Sequence, residues 1–140
     1  MLRSVFAVIL GYLAAVLLVV AGLGLAGMLF LPPPGRPYGP GVSPAYLIAN
    51  VLVSIAAAVV GGLTAGIVAR RSPILHASAL AAIMFIVGIA SMVASGGAAP
   101  GQPAWYPLAI AVIGPVGALV GGWLQQRRAG IVMPPPGRAR

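Results

Sequence analysis

The chain is 140 residues long, 61% hydrophobic and 6% charged, with no Asp, Glu or Cys and a formal net charge of +8. A soluble domain needs roughly a quarter of its residues charged to cover its surface, so this composition fits one domain in a lipid solvent. The missing carboxylates and thiols exclude disulfides, thiolate catalysis, carboxylate or thiolate metal sites and the usual general acid–base pairs.

The charge itself is informative. Every basic side chain apart from His76 is an Arg, and the arginines stand at the ends of apolar runs. A nucleic-acid binder would gather them on a polar face. Arg at span ends instead meets anionic lipid headgroups and sets topology. Arg without Lys, together with many Ala, Gly and Pro residues, points to a high-GC bacterial genome.

The first apolar run covers residues 5–31, behind Arg3. It is longer than the ~7–15 residues of a cleavable signal core, so it is expected to remain as a span. Pro32-Pro33-Pro34-Gly35 ends it, and a Pro/Gly-rich connection follows. The second run covers 45–69 and stops at Arg70-Arg71. The third covers 74–94, opened by Pro73 and closed by Ser95-Gly96-Gly97. The fourth covers 107–124 and stops at Gln125-Gln126-Arg127-Arg128. Each run is long enough to cross a bilayer, and backbone in lipid has to satisfy itself as helix. The expected fold is an all-α, integral membrane four-helix bundle of two antiparallel hairpins, with 125–140 a flexible cytoplasmic tail.

Orientation follows from the arginines. Arg3, Arg70, Arg71, Arg127, Arg128, Arg138 and Arg140 fall on one side of a four-span chain, and Arg36 alone falls on the other. The positive-inside rule then puts both termini and the Arg70-Arg71 turn in the cytoplasm. Tyr46, Trp105 and Tyr106 would form the outer interface belt, and Trp123 would mark the inner boundary. The expected location is the bacterial inner membrane.

Small residues recur at helical spacing in every run. Gly11, Gly22, Gly62, Gly66, Gly88, Gly117 and Gly121 are the expected close-packing positions, since association in lipid relies on near approach of backbones. They would pack within the monomer or form a dimer face. A weak repeat accompanies them. Pro44-Ala45-Tyr46 followed by Val60-Gly61-Gly62 resembles Pro103-Ala104-Trp105 followed by Val120-Gly121-Gly122. It suggests two hairpins related by an axis along the membrane normal.

Polar side chains within the runs are few: Tyr12, Asn50, Ser54, Thr64, Ser91 and Ser95. Similar depth pairs Asn50 with Ser91 and Tyr12 with Thr64, either as interhelical hydrogen bonds or, for Asn50 and the serines, as a polar solute lining. Pro115 should bend the fourth helix. His76, alone of its kind, lacks partners for metal or proton chemistry and is expected as an interfacial helix-start residue.

The segments Pro44-Ala-Tyr-Leu-Ile-Ala-Asn50 and Gly61 to Ala77 resemble a group of small uncharacterised bacterial four-span inner-membrane proteins. So does Pro103-Ala-Trp-Tyr-Pro107 through Gly114-Pro115 to Gly121-Gly122. The resemblance covers about half the chain and implies the four-span inner-membrane fold without an activity. Small multidrug-resistance pumps rely on a membrane-embedded Glu, and this chain has none.

The expected function is a non-catalytic structural or accessory membrane protein, with no cofactor and no metal. The alternative is a small oligomeric channel or carrier for a neutral or anionic solute. Expected partners are the lipid bilayer and either further copies of the chain or a larger membrane complex, not nucleic acid.

Overall fold

Proline opens three of the four helices, where its missing N–H costs nothing. The structure, a computed structural model, describes residues 2–31, 42–69, 72–98 and 101–130. Its helices are α1 (Leu2–Phe30), α2 (Pro44–Ala69), α3 (Pro73–Ala94) and α4 (Tyr106–Arg128). All four are long and apolar enough to cross a membrane, and no strand occurs among the described residues. The chain is a multi-pass membrane protein by this measure. α1, at 29 residues, would reach roughly 43 Å against a hydrocarbon core of ~30 Å, so it must tilt or protrude.

The helix ends obey local rules. α3 starts after Ser72, held at φ 49° and ψ 60°, with Pro73 in its first turn. The Ser72 carbonyl accepts from Leu75 N at 3.1 Å and from His76 Nδ1 at 3.1 Å. His76 therefore closes the first turn of α3, the helix-start place expected for it. α3 ends in a Schellman motif: Gly97 N donates to Met92 O at 3.0 Å and Gly96 N to Val93 O at 3.1 Å. The motif needs a left-handed residue, and Gly96 supplies it at φ 71°.

α4 corrects one sequence boundary. It continues past Leu124 through both glutamines and both arginines to Arg128, with Gly130 at φ 64° just beyond its cap. Hydropathy falls at Gln125, but the helix does not need an apolar side chain to propagate. Arg127 and Arg128 also suit the negative end of the helix dipole. Residues 125–128 thus belong to the helix rather than to a tail, and 131–140 lie outside the described residues.

The bundle is assembled on α2 and α4, which pack face to face; α1 lies on α2, and α3 lies on α4. The buried apolar side chains are mostly alanines, with Leu80 the largest of them that is fully enclosed. Larger side chains such as Leu17, Leu52, Ile86 and Val93 are exposed. An apolar exterior around a small-residue interior is what a lipid solvent permits, because only close backbone packing separates inside from outside.

Glycines mark the approaches. A Cβ on Gly11 would stand 2.7 Å from Gly61 O, and one on Gly61 would stand 2.8 Å from Gly11 O. Gly22 meets Val53 farther along the same pair. Between α3 and α4, Gly88 meets Ala111 and Gly122 meets Ala77. Gly66 packs against Gln125 and Pro73. Each glycine named from the sequence is therefore a contact point within one copy of the chain.

The α2–α4 contact is reciprocal. Gly62 backs onto the Ala118 backbone, and Gly121 backs onto the Val59 backbone. The sequence step that carries Pro44-Ala45-Tyr46 onto Pro103-Ala104-Trp105 also carries Val59 onto Ala118 and Gly62 onto Gly121. The same step carries Ala58 onto Gly117, and those two residues touch each other. A local two-fold axis through the Ala58–Gly117 contact accounts for all three pairs. The equivalent of Gly62 is thus Gly121, one place before the alignment suggested by the two Gly-Gly pairs.

Candidate binding cavity

α1 and α3 touch near one end of the bundle and separate toward the other. At the first end, Arg3 Nε donates to Val68 O at 3.1 Å. The Arg127 guanidinium lies 3.8 Å above the Trp123 ring, a cation–π contact that holds the charge beside the apolar helix. Arg70 and Arg71 lie outside the described residues, as do Arg36, Arg138 and Arg140. Just above this arginine end, Ala65, Leu80, Ala81 and Ala118 form a buried cluster, with Val8, Tyr12 and Met84 packed on it.

Tyr12 and Met84, resting on that cluster, form the floor of a cavity of about 740 Å³, within the size range of small-molecule sites. The cavity begins at Tyr12, Met84 and Gly114 and continues to Gln102 and Tyr106 at the opposite end of the bundle. Val16, Val19 and Val20 of α1 form one wall, and Val87, Ser91 and Met92 of α3 form another. Val16, Val20, Val87 and Ser91 are exposed, so the slot between α1 and α3 is open sideways. No charged side chain lines it among the described residues.

The polar residues named from the sequence divide here. Tyr12, Asn50, Ser54, Ser91 and Ser95 all line this one cavity; Thr64 does not. Asn50 donates from Nδ2 to the Tyr106 hydroxyl, and Ser54 Oγ donates to Asn50 Oδ1 at 3.4 Å. The Asn50 bond thus goes to α4 rather than to Ser91. Thr64 Oγ1 donates to Val60 O at 2.8 Å in its own helix, which answers its hydroxyl without Tyr12. Ser95 is used locally too, donating to Met92 O and Gly97 O at 3.1 and 3.2 Å. No side-chain hydrogen bond joins Ser91 to another described residue.

Tyr106 departs from the interface belt. Trp105 is 60% exposed while Tyr106 is 4% exposed, although their rings meet edge to face at 6.0 Å. The cause is helical rotation: Trp105 occupies the position equivalent to half-buried Tyr46, and Tyr106 occupies that of buried Leu47. The repeat register would have revealed this, had it been anchored on Pro44 and Pro103. A buried Tyr then needs a partner for its hydroxyl, and Asn50 supplies it.

Gln102, also unforeseen as a lining residue, sits where the two connections meet, beside the bond from Val42 N to Gly101 O at 3.2 Å. Pro115 lines the cavity wall, and α4 continues unbroken through it. Replacing Asn50 with Leu removes both bonds and leaves the Tyr106 hydroxyl unanswered. The expected loss is about 1 kcal/mol, since such bonds average ~0.6 and reach ~1.7 kcal/mol in membranes. Tyr106→Phe should lose less. Thermal unfolding of the two variants in one detergent checks the order.

No protein-family model, curated protein or solved structure matches this chain.

Proposed function

We propose that this chain is a non-catalytic, multi-pass protein of the bacterial inner membrane that serves as a structural or accessory subunit. In this reading α1–α2 and α3–α4 are antiparallel hairpins, and both termini are cytoplasmic. The resemblance to small four-span bacterial membrane proteins points the same way. The observation that carries the proposal is the interior itself. Its helices meet through Gly62–Ala118, Gly121–Val59, Ala58–Gly117 and Gly11–Gly61, and its buried apolar set contains chiefly alanines. Such an interior supplies means to pack, whereas intramembrane catalysis or proton transfer calls for ionisable side chains within the spans. In this reading the partners are the lipid bilayer and either further copies of the chain or a larger membrane complex.

A carrier or channel is the second reading, favoured by one observation: Asn50, Ser54, Ser91 and Ser95 share a cavity. The Leu80 cluster closes that cavity toward the arginine end, so transport requires α1 and α3 to part there. Proteoliposome flux of anions and small neutral solutes, run beside affinity capture from the native membrane, separates the readings. A stoichiometric partner without flux is expected. Selective flux that disappears in Asn50→Leu, with no partner recovered, would sink the accessory reading.

A further inference from the structure

The slot between α1 and α3 has two chemically unlike ends. Its deep part is walled by Val16, Val19, Met84 and Val87, while its far end gathers Ser91 and the Asn50–Tyr106 pair. From Ser95 to Met84, α3 rises roughly 16 Å at ~1.5 Å per residue. One leaflet's share of a ~30 Å hydrocarbon core is about 15 Å. The mouth at Ser95 therefore lies at the depth of lipid ester groups, Ser91 lies one helical turn (~6 Å) inside it, and the slot from mouth to floor spans the depth of a single acyl chain. Exposed Val16, Val20 and Val87 leave the slot open along that length. A chain can slide in from the bilayer without crossing water.

We infer that this cavity binds one acyl chain of a glycerolipid, with the lipid's uncharged ester region beside Ser91 and the Asn50–Tyr106 pair. The inference rests on the membrane-embedded reading above and adds a ligand to it. Hydrogen bonding at the mouth fixes depth. The Ser91 hydroxyl, which bonds no other described residue through its side chain, is a donor for an ester carbonyl, and the second hydrogen of Asn50 Nδ2 and the Tyr106 O–H stand as further donors beside it. The lining holds no described charge, so a charged headgroup stays outside at the surface. The floor formed by Tyr12 and Met84, backed by the Leu80 cluster, stops the tail at mid-bilayer, where an acyl chain ends in any case.

The test uses the full chain in vesicles containing a phosphatidylethanolamine with a diazirine in its acyl chain. Irradiation is followed by mass-spectrometric mapping of the labelled residues. Labels should concentrate on the slot-lining Val16, Val19, Val20, Met84, Val87 and Ser91 over the outer positions Leu52 and Val93, which are 61% and 70% exposed. Ser91→Phe and Val19→Phe fill the slot from opposite walls, and neither disturbs a glycine contact. Each should lower slot labelling about tenfold, the effect of ~1.4 kcal/mol on an affinity. Val93→Phe, outside the slot on the same helix, should leave it unchanged. Slot labelling no denser than at Leu52 and Val93, or unaltered in both filling variants, overturns the inference. Alkaline extraction of the same vesicles distinguishes the two failures. A chain released by carbonate defeats the membrane reading, and a retained chain with even labelling defeats the lipid site alone.

Discussion

Gly62→Leu and Gly121→Leu are each expected to abolish recovery of a folded, monodisperse protein in detergent. A Cβ on Gly62 would stand 2.8 Å from the Ala118 carbonyl carbon and 2.9 Å from its Cα. On Gly121 it would stand 2.8 Å from Leu63 N and 3.0 Å from Val59 C. These neighbours are backbone, so no rotamer change relieves the contact, and α2 and α4 must move apart. Overpacking costs ~1–3 kcal/mol where side chains can adjust, and more where they cannot. Because the two glycines are equivalent about the local two-fold, their losses should be alike. Even Gly62→Ala should be damaging, since the first added carbon already collides. Gly24→Leu is the control: nothing lies within 4 Å of a Cβ there, and helix propensity favours Leu over Gly by up to ~1 kcal/mol. Its thermal midpoint should equal or exceed that of the parent. Equal midpoints across the Gly62, Gly121 and Gly24 variants would show that the α2–α4 contact is not the framework of the bundle.

The four spans were legible because hydropathy, Pro and Arg mark them independently. Their ends were less so: α4 passes Leu124 because capping at Ala129 and Gly130, not apolarity, terminates it. Small-residue spacing identified the packing positions, since few other residues allow two helices to touch at backbone distance. It could not say which helix each glycine meets. Gly66, for example, sits between α3 and α4, against Pro73 and Gln125. Depth in the membrane is also readable from sequence, but rotation about the helix axis is weakly encoded when helices are apolar all round. Asn50 and Ser91 share a depth and line one cavity, yet the Asn50 amide turns to Tyr106. The cavity itself had no sequence signal beyond its serines. It arises from α1 and α3 diverging, a consequence of α1 packing on α2 and α3 on α4 while α2 and α4 pack on each other.

A reporter active only outside the cytoplasm should be active when fused after Ala94 and silent when fused at the C-terminus, and a cytoplasmic reporter should give the reverse. The argument starts from charge. Seven arginines, Arg3, Arg70, Arg71, Arg127, Arg128, Arg138 and Arg140, lie on one side of the four-span path, with Arg36 alone on the other. Each Arg near the cytoplasmic surface gains about 1 kcal/mol from anionic lipid, and moving one to the far side takes a charge through the hydrocarbon, so the inverted form is disfavoured at seven positions and favoured at one. Local structure agrees. Arg3 is tied to Val68 O beside the end of α2, and Arg127 is laid on Trp123, so both cations are anchored at one end of the bundle. The opposite connections between α1 and α2 and between α3 and α4 meet at Val42 and Gly101, and the described part of the second carries no charge. The contrast between the two fusion sites should be nearly all-or-none. Replacing Arg127 and Arg128 with Ala should leave it standing, because Arg3, Arg70 and Arg71 still outnumber Arg36. Cytoplasmic reporter activity after Ala94 in the parent chain would reverse the orientation and, with it, the leaflet from which the cavity between α1 and α3 draws its lipid.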